Sequence, residues 1–129
     1  MSTIKKYQVC VEGNSVTLEV DTQILTTELA IAINSFWSGS KERLHAQGMD
    51  VVLAVVRLFG VNAICCMRDE TAKDFDIHDI DASRYWTKRV LKVQEEGWPD
   101  ADGLGIRIVA ADLMPDFDYF DAELTEVDA

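Results

Sequence analysis

The spacing of apolar residues changes near Thr26, and that change limits what this chain can fold into. Ahead of it the period is two. Tyr7, Val9 and Val11 alternate with Lys6, Gln8 and Cys10, and Val16, Leu18 and Val20 then alternate with Thr17, Glu19 and Asp21. Gly13-Asn14-Ser15 supplies turn chemistry between the two runs, so the segment reads as a β-hairpin with one apolar and one polar face. Beyond Thr26 the period is 3.6. Thr26 itself suits an N-cap, Glu28 complements the helix dipole in the first turn, and Leu29, Ile33, Phe36 and Trp37 form one stripe that Gly39 ends.

Ser40 is placed to cap a short helix over 41–47, closed by Gly48, and Asp50 to cap a longer one. In that longer helix Val52, Val55, Val56, Phe59, Ala63 and Met67 keep helical spacing across Gly60. A mid-helix glycine costs about 1 kcal/mol relative to alanine, so Gly60 marks a kink or a close helix crossing. The window 51–67 is the most apolar of the chain, but Arg57, Gly60 and Asn62 break it, and it reads as a buried core helix rather than a membrane span. Residues 71–81 show neither period and read as a surface loop. The stretch 82–94 fits a helix capped by Asp81, with Trp86, Val90 and Val93 on one side and Arg84, Lys88 and Lys92 on another. It alternates almost as well as a strand through Arg89, Leu91 and Val93, and the helix is preferred.

After a turn-rich break over 97–103, Ile106, Ile108 and Ala110 alternate with Arg107, Val109 and Ala111. The segment 119–127 then sets Phe120, Ala122 and Leu124 against Asp121, Glu123 and Thr125. The expected fold is a single α+β domain over 1–129. It has an antiparallel four-stranded sheet in β-β-α-α-α-β-β order, with 82–94 as an extra helix and the helices packed on one face.

Charge is distributed unevenly over this pattern. Residues 95–129 hold eleven carboxylates against Arg107 alone, a balance of −10, whereas residues 1–94 balance at −1. A sequence pI near 4.4 argues against direct binding to nucleic acid or to an anionic membrane, both of which need Lys and Arg against phosphate. The three cysteines, Cys10 and the adjacent Cys65-Cys66, make no disulfide framework and suit a reducing compartment. The first residues lack the apolar core of a signal peptide, so a cytoplasmic protein is expected.

Catalytic patterns are missing. His45 and His78 lie in no motif, and there is no Gly-x-Ser-x-Gly elbow. Asp100-Ala101-Asp102-Gly103-Leu104-Gly105 starts like a calcium loop, but Leu104 stands at position five and Ala111 at position twelve, where oxygen ligands are needed. Adjacent cysteines with no nearby histidine do not make a zinc site. No enzyme, metal or cofactor is expected.

The segment Leu25-Thr26-Thr27-Glu28-Leu29-Ala30 through Ile33-Asn34-Ser35-Phe36-Trp37-Ser38, with Arg43-Leu44, 51–59, Glu96-Gly97-Trp98 and Gly105-Ile106-Arg107, resembles a family of small uncharacterised bacterial proteins. Its members are carried on plasmids, prophages and integrative elements. The resemblance brings no activity to any residue. It implies an accessory gene of a mobile element, whose small acidic products often counter host defence or modulate transfer.

Acids at i and i+2 on a strand lie about 6.5–7 Å apart, a spacing close to that of successive phosphates. The resulting expectation is an acidic protein-binding module that engages a basic, nucleic-acid-handling host protein. Its contacts would be Asp116, Asp118, Asp121, Glu123 and Glu126, with Tyr119 as an aromatic anchor. The alternative is a self-associating protein that forms a homodimer through an apolar patch of Trp86, Trp98 and the Leu29–Phe36 face, its acids serving solubility.

Overall fold

The structure, a computed structural model, describes residues 3–94, 96–114 and 122–127. Strands β1 (Ile4–Val11) and β2 (Asn14–Asp21) form the expected hairpin, in register from Ile4↔Asp21 to Val11↔Asn14. Its loop is two residues long, Glu12 and Gly13, with φ of 49° and 84°. Positive φ at both positions is the type I′ geometry whose twist matches paired strands. The turn therefore sits one step earlier than Gly13-Asn14-Ser15, and Asn14 opens β2.

That shift gives Asn14 a tertiary role. Its Nδ2 donates to the carbonyl of Val11 (3.0 Å), while its Oδ1 accepts from Arg68 Nη1 (2.9 Å) and from the Met114 N–H (2.8 Å). One buried amide so joins the hairpin, the end of a helix and the exit from the last strand.

Helix α1 (Thr27–Phe36) starts at Thr26, whose Oγ1 accepts from the Leu29 N–H at 3.2 Å. Its end is fastened from the next helix, α2 (Ser40–Ala46), by Arg43. Arg43 donates to the carbonyls of Asn34, Trp37 and Ser38 and to Asn34 Oδ1. Carbonyls left open at the helix end are satisfied by one guanidinium.

Helix α3 (Val51–Asp69) begins at Asp50, which accepts from the Leu53 N–H at 3.1 Å. It is long and apolar enough to cross a membrane by length and composition alone, and half of that apolar window is buried inside the fold. Val55, Val56, Phe59, Ala63 and Met67 stand at the centre of the core. Gly60 marks a close approach, but to a strand rather than to another helix. A Cβ placed there would lie 2.5 Å from Val9 Cγ2, so glycine lets the helix rest directly on β1.

Helix α4 (Ile80–Gln94) resolves the ambiguity over 82–94 in favour of helix, with Thr87, Val90 and Leu91 buried and Arg84, Lys88 and Lys92 exposed. It starts earlier than Asp81 suggested: Asp79 Oδ1 accepts from the Ala82 N–H at 3.0 Å. A short helix α5 (Ala101–Leu104) fills the turn-rich break, and β3 (Ile106–Asp112) pairs antiparallel with β2.

The alternation expected in β3 fails at Val109. Pairing jumps from Leu18↔Ile108 to Thr17↔Ala110, a bulge that turns Ala111 rather than Ala110 into the core. Among the described residues the sheet has three strands, in the order β1-β2-β3, with five helices. The expected fourth strand is not seen: residues 122–127 adopt no strand, and 119–121 lie outside the described residues.

The loop 71–81 does more than cover surface. Phe75 exchanges both backbone hydrogen bonds with Ala111, Asp74 Oδ1 accepts from the Leu113 N–H, and Thr87 Oγ1 accepts from the Ile108 N–H. The outer edge of β3 is thereby closed.

Candidate protein-interaction surface

Of the six residues expected to contact a partner, Asp116, Asp118, Tyr119 and Asp121 lie outside the described residues. Glu123 and Glu126 are fully in solvent, on a segment without regular structure. With Glu96, Asp100, Asp102 and Asp112 they make six described acids in the C-terminal part of the chain, all exposed. None of the six is in an ion pair. The ion pairs between described residues serve other acids: Arg89 holds Glu70 at 2.9 Å, while Lys6 and Arg107 both hold Glu19.

These acids do not form one strip. Glu96, Asp100 and Asp102 sit ahead of β3, and Asp112 ends it, so the length of that strand, about 20 Å, separates the two groups. Asp100 and Asp102 share a recess with Lys88 and Lys92, whose charges weaken their field. Asp100 is moreover committed to local structure, since its Oδ1 accepts from the Gly103 N–H at 2.8 Å and caps α5. The segment that starts like a calcium loop is thus a capped helical turn. No group of three or more His, Cys, Asp or Glu able to hold a metal ion occurs among the described residues.

His45 and His78 are both exposed. Asp76 and Asp79, beside His78, accept backbone N–H groups from His78 and Ala82 and so shape the start of α4.

The apolar alternative loses one of its members. Trp98 is 9% exposed and packs on Trp37 and Phe59, with ring centroids 5.3 and 5.6 Å away, which leaves it no surface for a second molecule. Phe36 (53% exposed) and Ile31 (51%) remain open on α1.

The sequence reading missed a half-buried polar contact between the end of α3 and α4. Arg89 Nε donates to both oxygens of Glu70, and the Cys66 thiol donates to Glu70 Oε2 at 3.3 Å. Burial first, then the hydrogen bond and charge of Glu70, push the Cys66 thiol up to about 11. The same carboxylate raises Arg89 by its hydrogen bond and its charge. A thiol held neutral is a packing group rather than a nucleophile. The i, i+4 spacing of Cys66 and Glu70 was visible, but the arginine comes from another helix.

Comparison with known proteins agrees with the resemblance noted from sequence. Protein ea10 of Escherichia phage lambda is 32% identical to this chain over 123 residues, which cover 94% of this chain and 95% of that protein. The Lambda prophage-derived protein ea10 of Escherichia coli O6:H1 matches to the same extent. No solved structure matches. The family described as Protein of unknown function (DUF2528) spans residues 15–124. The chain therefore belongs to that family, whose relatives here are a phage protein and its prophage-derived counterpart.

Proposed function

We propose that this protein is a non-enzymatic, acidic protein-binding module of a mobile genetic element. It acts in the cytoplasm and presents its C-terminal acids to a basic surface on a nucleic-acid-handling host protein. The observation that carries this reading is the set of six described C-terminal acids, all exposed and none ion-paired. Unpaired exposed charge keeps its field for an approaching cation, accelerates encounter and weakens with salt. Asp116, Asp118, Asp121, Glu123 and Glu126 would meet that surface, with Tyr119 as the aromatic anchor.

Capture of host proteins on the immobilised chain tests it. At low salt a basic nucleic-acid-handling protein should be retained. It should be released at about 1 M salt, where the screening length is about 3 Å. A variant with Asp116→Asn, Asp118→Asn, Glu123→Gln and Glu126→Gln should not retain it. Retention that ignores both salt and these substitutions counts against the proposal.

The second reading, a homodimer through α1, is favoured by the exposed Ile31 and Phe36. A dimer at high salt that Phe36→Ser dissociates would support it.

A further inference from the structure

The two edges of the sheet differ. That of β3 is closed by Asp74, Phe75 and Thr87, whereas β1 pairs only with β2 among the described residues. The two-residue loop makes Val11↔Asn14 a hydrogen-bonded pair, and alternation follows along the ladder. Lys6, Gln8 and Cys10 therefore turn their N–H and C=O groups away from β2, toward open space.

Beside this edge lies a recess of about 300 Å³ between β1 and α3, with Tyr7, Val9, Leu53 and Val56 as its apolar lining and Gln47 and Arg57 among its polar lining. Lys5 and Lys6 flank one end of the strand, so the site combines a backbone ladder, a hollow of mixed polar and apolar lining and three cations.

The chain also carries a segment with the complementary properties. Ala122-Glu123-Leu124-Thr125-Glu126-Val127 alternates like a strand, carries only negative charge, and touches nothing: Leu124 is 101% and Val127 83% exposed. A leucine left wholly in water, and a hollow at a cationic strand edge whose lining includes Tyr7, Val9, Leu53 and Val56, are matching halves of strand addition, in which backbone bonds give affinity and pockets give specificity.

We propose that residues 122–127 of one copy add as an antiparallel strand to β1 of a second copy, and that reciprocal exchange gives a closed dimer. In one register Leu124 lies opposite Tyr7 and enters the recess, Ala122 lies opposite Val9, and Glu126 faces Lys5. Opposite charges directly across a strand pair are favourable. Thr125 and Glu123 then form hydrogen-bonded pairs with Lys6 and Gln8, which uses the outward groups of both residues. Lysines on the edge favour an acid-bearing strand over another lysine-bearing one. This surface is distinct from α1, and the inference does not rest on a host partner, because the purified chain alone is the test sample.

Sedimentation of the full chain should show a dimer. Leu124→Asp, at a site with no contact in its own fold, should weaken that dimer about tenfold or more. Two variants, Gln8→Cys and Glu123→Cys, each with Cys10→Ser and Cys65→Ser, should when mixed and oxidised give an interchain disulfide joining positions 8 and 123. A hydrogen-bonded antiparallel pair spaces its Cα atoms about 5.5 Å apart, within disulfide range. Three results would overturn the proposal. They are a monomer at all concentrations, a dimer indifferent to Leu124→Asp, and mixed variants that form no disulfide between positions 8 and 123.

Discussion

Gly60 shows how one residue sets the distance between two layers. Alanine there would meet all three branch carbons of Val9 at 2.5–2.9 Å, and a β-branched side chain has little freedom to swing aside. Gly60→Ala should lower stability by about 1–2 kcal/mol in urea unfolding, despite alanine's higher helix propensity. The double variant with Val9→Ala should recover part of that loss.

Cys66 makes a prediction about pH. Its thiol is held near 11 in the fold against 9.0 ordinarily, so the native state keeps the proton more tightly than the unfolded chain does. The associated stability is complete below pH 9 and declines as pH rises toward 11. Unfolding measured across that range should show a steeper decline for the native chain than for Cys66→Ala. Alkylation at pH 8 should label the exposed Cys10 and Cys65 and leave Cys66 unmodified.

At the scale of elements, local chemistry decided where helices begin, but not always at the nearest candidate. Asp79 and Asp81 are both plausible caps for α4, and only Asp79 accepts the Ala82 N–H. Asp79→Ala should cost about 1 kcal/mol of stability and Asp81→Ala a few tenths of that, measured by thermal or urea unfolding. The choice was illegible locally because Phe75 pairs with Ala111 of β3, and that pairing fixes where the chain must turn into α4. In β3 itself the apolar pattern gave the strand correctly. The Val109 bulge arises from pairing with β2, which no alternation within β3 reveals.

Over the whole molecule, a net charge of −11 faces few internal cations, and the described C-terminal acids stay unpaired. Self-repulsion of this kind destabilises a compact state and is relieved by screening. The melting temperature should therefore rise as sodium chloride is raised from about 10 mM to about 500 mM, where the screening length falls from about 30 Å to about 4 Å. A flat or falling profile would show that the acids are already compensated. The length of β3 also separates Asp100 and Asp102 from Asp112, so these described acids lie in two regions, not one.

Adjacent residues determined the hairpin, the Thr26 and Asp50 caps and the buried course of α3. Each depends on interactions within a few positions along the chain, or on a period that one buried face imposes. The acidic bias of the C-terminal part was equally plain, but its arrangement was not. Tertiary structure alone decided the bulge in β3, the Glu70–Arg89 pair with Cys66, the sealing of one sheet edge, and the absence of a strand over 122–127. A strand needs a partner as well as a pattern: alternation chooses which side chains face inward, and only an available edge supplies the hydrogen bonds.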